Sequence, residues 1–97
     1  MFLLRKVEGD SMTPGLSAGQ VVLAVRALRV RAGDVVIFRH NGLDKIKRVH
    51  KLSDGHMYVL GDNPSGSTDS RAFGWLPASC IKGRVVWPRA ALGAFSA

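Results

Sequence analysis

Apolar residues along this chain fall in short clusters between glycines, and helical periodicity is weak throughout. Val21-Val-Leu-Ala-Val25 follows Gly19-Gln20 and reads as a buried strand. Gly33-Asp34 turns the chain into a second strand, Val35-Val-Ile-Phe38. Asn41-Gly42 is a strong signal for a two-residue hairpin turn. It leads into residues 43–49, where polar and apolar side chains mix as on a half-buried strand. Ser53-Asp54-Gly55 marks the next turn and His56-Met-Tyr-Val-Leu60 the next strand. A polar loop covers 61–70, and the last strand, 81–87, is stopped by Pro88. Strands at about ten-residue spacing predict an all-β fold, a small coiled antiparallel sheet or partly open barrel. At most one short helical turn is expected, around 12–16, and the tail 88–97 is expected to be loosely ordered.

Length and composition narrow the classes. Ninety-seven residues make a single domain, 1–97, with its core over about 7–87. With 46% hydrophobic and 22% charged residues the chain is ordinary for a globular protein, which excludes disorder. A formal charge of +7 makes nucleic acid or an anionic membrane surface the first partner to weigh. One cysteine, Cys80, excludes an internal disulfide and any zinc site built from several cysteines, and reads as a small buried hydrophobe. The apolar run 21–25 is far short of the ~20 residues that span a bilayer. Met1-Phe-Leu-Leu-Arg5-Lys6 places its charges after the apolar residues, the reverse of a secretory signal, so a cytoplasmic protein is expected.

Two polar loops carry candidate chemistry. Ser11 lies between Gly9-Asp10 and Met12-Thr13-Pro14, where a tight turn would expose its hydroxyl beside backbone N–H groups. The loop 61–71 holds Ser67, Thr68, Asp69 and Ser70 in a row, a density also typical of self-capping turns. A serine nucleophile needs a base. His40, His50 and His56 are available, but none has the neighbourhood of a triad histidine. A lysine serves only where desolvation lowers its pKa by several units, which requires an apolar pocket. Lys45 and Lys47 share one parity on the 43–49 strand, and periodicity does not choose between them. Phe73, Trp75 and Trp87 read as core or groove lining.

Gly9-Asp10-Ser11-Met12-Thr13-Pro14, Gly33-Asp34-Val-Val-Ile-Phe38, Ile46-Lys47-Arg48-Val49 and Gly61-Asp62-Asn63 with Ser67-Thr-Asp-Ser-Arg71 resemble the successive motifs of the signal peptidase I family. They occur in the family's order and cover nearly the whole chain. The resemblance implies the family's all-β catalytic core and a serine endopeptidase with a Ser–Lys dyad. Ser11 matches the nucleophile and Lys47 the neutral general base. Ser67 matches the serine that orients the base, and Asp69 and Arg71 match an ion pair that holds the loop. A hydroxyl suits the orienting role, because a carboxylate beside the amine would raise its pKa again. The oxyanion would be met by the Ser11 backbone N–H, with Gly9 two residues before the nucleophile. Met12 and Leu16 are expected as apolar wall beside it.

Typical members carry N-terminal membrane helices and a large insertion between the lysine and Gly-Asp-Asn motifs. Here ten residues precede Ser11 and thirteen separate Lys47 from Gly61. In this compactness, and in Leu60-Gly-Asp-Asn-Pro64, the chain is similar to the short proteases that mature nickel-type superoxide dismutase. The implied partner is that enzyme's precursor, whose N-terminal propeptide would be removed. No metal or organic cofactor is expected, since nickel belongs to the substrate. A leader peptidase acting on secretory precursors is the alternative, with room for peripheral membrane contact. A LexA-like self-cleaving domain shares the dyad but not the Asp-Ser-Arg motif. A basic barrel that binds nucleic acid is the reading from another class; its aromatics and arginines should then interleave, and they do not, so no nucleic-acid partner is expected.

Overall fold

The computed structural model describes residues 1–9, 11–13, 15–26, 29–66 and 68–88. Its framework is one antiparallel sheet: β1 (Phe2–Lys6), β2 (Val21–Val25), β3 (Val35–His40), β4 (Leu43–Ser53), β5 (His56–Leu60), β6 (Leu76–Pro77) and β7 (Ile81–Trp87). The spatial order is β1-β2-β7-β3-β4-β5-β6. The all-β expectation holds, with two strands, β1 and β6, beyond the five that the pattern shows. Among the described residues, helical structure is confined to single turns at Pro64–Gly66, Ser70–Phe73 (α1) and Ala78–Cys80. At the turn expected around 12–16, Leu16 N–H donates to the Met12 carbonyl at 2.8 Å, and Pro14 lies outside the described residues.

Both predicted hairpins form. Asn41 and Gly42 have φ of 51° and 77°, and Asp54 and Gly55 have 49° and 75°. Positive φ at both central residues is the geometry whose twist matches two antiparallel strands.

Strand β3 explains the architecture. Val35, Val36, Ile37 and Phe38 are all 0% exposed. Side chains alternate across a sheet, so a strand buried throughout must have a core on each face. Val35 and Ile37 pack with Val7, Met12, Leu16, Val22, Ala24 and Val85 on one side. Val36 and Phe38 pack with Val49, Met57 and Val59 on the other. Half-buried Phe73 and Cys80 join this second core, where burial pushes the Cys80 thiol up from its ordinary range. Trp75 and Trp87 do not line core or groove as expected; they are 45% and 54% exposed. Trp75 instead packs edge-on against Tyr58, ring centres 5.4 Å apart.

Coiling comes from irregular pairing. Register shifts interrupt β2–β7 between Leu23 and Ala24, β3–β7 between Ile37 and Phe38, and β4–β5 between Val49 and Lys51. Each inserts an extra residue and bends the strand that carries it. The strands also approach closely at Gly83, where an added Cβ would lie 3.0 Å from the Val25 carbonyl oxygen. The coil brings the first strand back toward the first half of β4. Strand β5 pairs with β4 from Arg48 onward, so among the described residues 43–47 are paired on the β3 side alone.

Candidate active site

Between these two strands lies a cleft of about 310 Å³. One wall runs from Arg5 to Gly9 and the other from Asp44 to Lys47. Ile37 lies between them, and Ser11, Met12 and Thr68 complete the lining. Ser11 and Lys47, the two residues singled out for catalysis, therefore face one cavity. None of the three histidines lines it.

Ser11 follows Gly9, whose φ of 74° turns the chain out of the β1 direction. The turn is held from three sides. Val7 N–H donates to the Gln20 carbonyl at 2.8 Å, extending the β1–β2 pairing. Met12, 1% exposed, anchors the turn in the first core. Asn63 N–H donates to the Ser11 carbonyl at 2.8 Å, and Asn63 Nδ2 to Thr13 Oγ1 at 3.1 Å. The Gly61-Asp62-Asn63 segment thus touches the serine motif directly, a link that spacing alone does not reveal.

Lys47 is 7% exposed. Burial lowers its pKa from the ordinary 10.5; the charge of Asp69 works against this shift and that of Lys45 works with it. A desolvated amine on a cleft wall is what a neutral lysine base requires. Lys45 has the same strand parity but another environment. Its Nζ lies 3.1 Å from His40 Nδ1 and 5.2 Å from the centre of the Phe73 ring, on which His40 also stacks at 4.4 Å.

The loop after Gly61 is fixed by two carboxylates. Asp62 pairs with Arg48, Nε to Oδ1 at 3.0 Å and Nη2 to Oδ2 at 2.9 Å, while Arg48 Nη1 donates to the Gly33 carbonyl at 2.8 Å. Asp69, 1% exposed, caps α1 by accepting from Arg71 N–H at 3.1 Å. It also accepts from Gly61 N–H at 2.8 Å and from Arg71 Nε at 2.9 Å. Asp69 and Arg71 form an ion pair, and the guanidinium's hydrogen bond to the Asp69 carboxylate raises its pKa. Buried Ser70 accepts from Val59 N–H at 2.8 Å and serves the loop's packing.

Other placements complete the reading. Gly9 and Ser11 both line the cleft. Met12 lines it too, whereas Leu16 packs wholly into the first core and does not reach it. Ser67, with Asp10, Pro14 and residues 89–97, lies outside the described residues. Sequence reasoning missed Arg48–Asp62, Asn63–Thr13 and the Arg5–Asp44 contact across the cleft end, at 3.1 Å. Among the described residues no helix is long and apolar enough to cross a membrane.

The chain is 34% identical over 115 aligned positions to mitochondrial inner membrane protease subunit 2 of Danio rerio, covering 86% of this chain and 63% of that protein. It is 41% identical over 51 residues to subunit 1 of Xenopus tropicalis, covering 50% of this chain and 30% of the other. A shorter match, 43% over 42 residues, links it to human subunit 1, with 40% of this chain and 25% of the other covered. The chain thus spans less than two thirds of the length of these relatives. The family model for Peptidase S24-like proteins matches residues 1–85, and the chain belongs to that family, within the signal peptidase I relationship to which its four motifs point.

Proposed function

We propose that this chain is a serine endopeptidase in which Ser11 is the nucleophile and Lys47 its base. The observation that carries this reading is the shared cleft: a serine on a tight turn and a desolvated lysine face one cavity between two strand edges. Neutral Lys47 Nζ takes the Ser11 Oγ proton as the oxygen attacks the scissile carbonyl. The tetrahedral intermediate collapses as the C–N bond breaks, and the ammonium of Lys47 gives its proton to the departing amine. Water, deprotonated by the again neutral Lys47 Nζ, then attacks the acyl carbonyl, and the Lys47 ammonium returns its proton to Ser11 Oγ as the ester bond breaks. The Ser11 N–H, beside Gly9, meets the oxyanion. The substrate lies extended between β1 and the unpaired edge of β4, main chain against main chain.

The substrate we propose is the precursor of nickel-type superoxide dismutase, cut at its N-terminal propeptide in the cytoplasm. Processing of exported precursors at a membrane is a second reading. It is favoured by Phe2, Leu4, Val21 and Trp87, which are exposed on three neighbouring strands, and by relatives named for an inner membrane. Co-expression with a nickel superoxide dismutase precursor, wild type against Ser11→Ala, tests both. Mass spectrometry of the precursor should show the propeptide lost only with intact Ser11. An uncut precursor in both cultures overturns the dismutase assignment and directs the same assay to exported precursors.

A further inference from the structure

The charges around the cleft are unevenly arranged. At the end away from Ser11, Asp44 is met by Arg5 at 3.1 Å and by Arg39 and Lys82 at 3.4 Å. Burial pushes the Asp44 carboxyl up, but the hydrogen bond from Arg5 and the charges of Lys82 and Arg39 outweigh it, so its pKa is lowered. One carboxylate among three cations leaves this end positive. Lys6 and Lys45 add two more cations to the lining, and among the described residues neither is in an ion pair. Lys45 is held by His40 and the face of Phe73, contacts that cancel no charge. Against these, among the described residues of the lining, stands Glu8, exposed on the same wall as Lys6.

The two walls run in register with the chemistry. A strand rises about 3.3 Å per residue, so Lys45 and Asp44 lie roughly 7 and 10 Å along β4 from Lys47. An extended peptide cut at Ser11 therefore places residues two to four positions from its scissile bond beside Lys45, Lys6 and Arg5. Resting on the protease reading above, we propose that this cleft selects substrates with a carboxylate two to four residues from the cut, on the side that lies along β1 away from Ser11. Lys6 and Lys45 are the specificity residues, and the Arg5–Asp44–Lys82 cluster sets the field. Exposed charge pairs are individually weak, so the preference of Glu over Lys should be about three- to tenfold.

The test uses the full chain and a proteome-derived peptide library, with cut sites read by mass spectrometry and Ser11→Ala as control. Asp and Glu should be enriched two to four positions from Ser11-dependent cuts, on one side only. Kinetics on matched Glu and Lys peptides should show the preference shrink as NaCl rises from about 20 to about 500 mM. Lys45→Glu and Lys6→Glu should each move the Glu/Lys ratio of kcat/KM toward Lys, a ratio in which any change of the base itself cancels. Ser11-dependent cutting with no acidic enrichment, or a ratio that neither variant moves, overturns the specificity proposal and leaves the protease reading standing. Absence of any Ser11-dependent cut overturns both.

Discussion

Arg48 and Asp62 meet two atoms to two, at 3.0 and 2.9 Å, with side chains only 3% and 8% exposed. The pair ties three motifs together, since Arg48 follows Lys47, Asp62 precedes Asn63, and the guanidinium also holds the Gly33 carbonyl. Through Asn63 N–H the network ends on the Ser11 carbonyl. A buried pair of this kind contributes little over an apolar substitute, but removing one partner strands a charge. Asp62→Ala should therefore destabilise by about 3–5 kcal/mol. For a domain near this size that lowers Tm by more than about 12 °C. Differential scanning calorimetry checks it, and a Tm within a few degrees of wild type would remove the pair from this role.

Ser11→Ala and Lys47→Met should each reduce cleavage by at least about three orders of magnitude. Their folds should stay intact. Lys47 lies in a site that disfavours its charged form, and methionine fills the same volume without a charge. The linkage sign follows from the lowered pKa. Between the folded and unfolded values the unfolded chain binds more protons, so Lys47 makes stability rise with pH over that window, up to about 10.5. Lys47→Met should accordingly raise Tm at neutral pH and raise it less at pH 10. Circular dichroism melts at both values test this beside the activity assay.

Activity should rise with pH as the base loses its proton, with a midpoint below the ordinary lysine value of 10.5. Burial is the main cause, and the Lys45 charge adds to it. Lys45→Met should therefore keep a working dyad but move the rising limb to higher pH. If Lys45→Met abolished cleavage at every pH while Lys47→Met did not, the base would be misassigned.

The readable parts of this fold are those in which local chemistry decides. Asn41-Gly42 and Asp54-Gly55 fix their hairpins by backbone conformation alone, and the unbroken run Val35–Phe38 announces a strand with a core on both faces. Strand β1 escapes the pattern because its outer residues, Phe2 and Leu4, are apolar and exposed, while Arg5 points inward to Asp44. Two-residue β6 is too short to leave a pattern. Motif order pointed to Ser11 and Lys47, but parity leaves Lys45 and Lys47 equivalent until His40 and Phe73 occupy the former. The charge cluster on Asp44 is invisible for another reason. Lys82 lies at the register shift between β3 and β7, an irregularity that no period in the sequence records.

The charge of Asp69 acts on Lys47, the proposed base, and Arg71 is paired with that carboxylate. Asp69 is buried, caps α1, accepts from Gly61 N–H and is paired with Arg71, whose side chain is 45% exposed. The Asp69 charge raises the pKa of Lys47, against the effect of burial. Arg71 places the opposite charge at the carboxylate itself, which should limit that effect. Arg71→Gln should leave the loop in place, since Gly61 and the α1 cap still hold Asp69, and should shift the rising limb of the pH profile upward. Arg71→Lys keeps the charge and should restore most of the wild-type profile. Asp69→Ala should do more damage, because it removes the cap and leaves a buried N–H at Gly61 without its acceptor, together about 2–4 kcal/mol. Measuring kcat/KM against pH for all three separates tuning from scaffolding. A parallel loss at every pH in Arg71→Gln, with no movement of the limb, would assign Arg71 to structure alone.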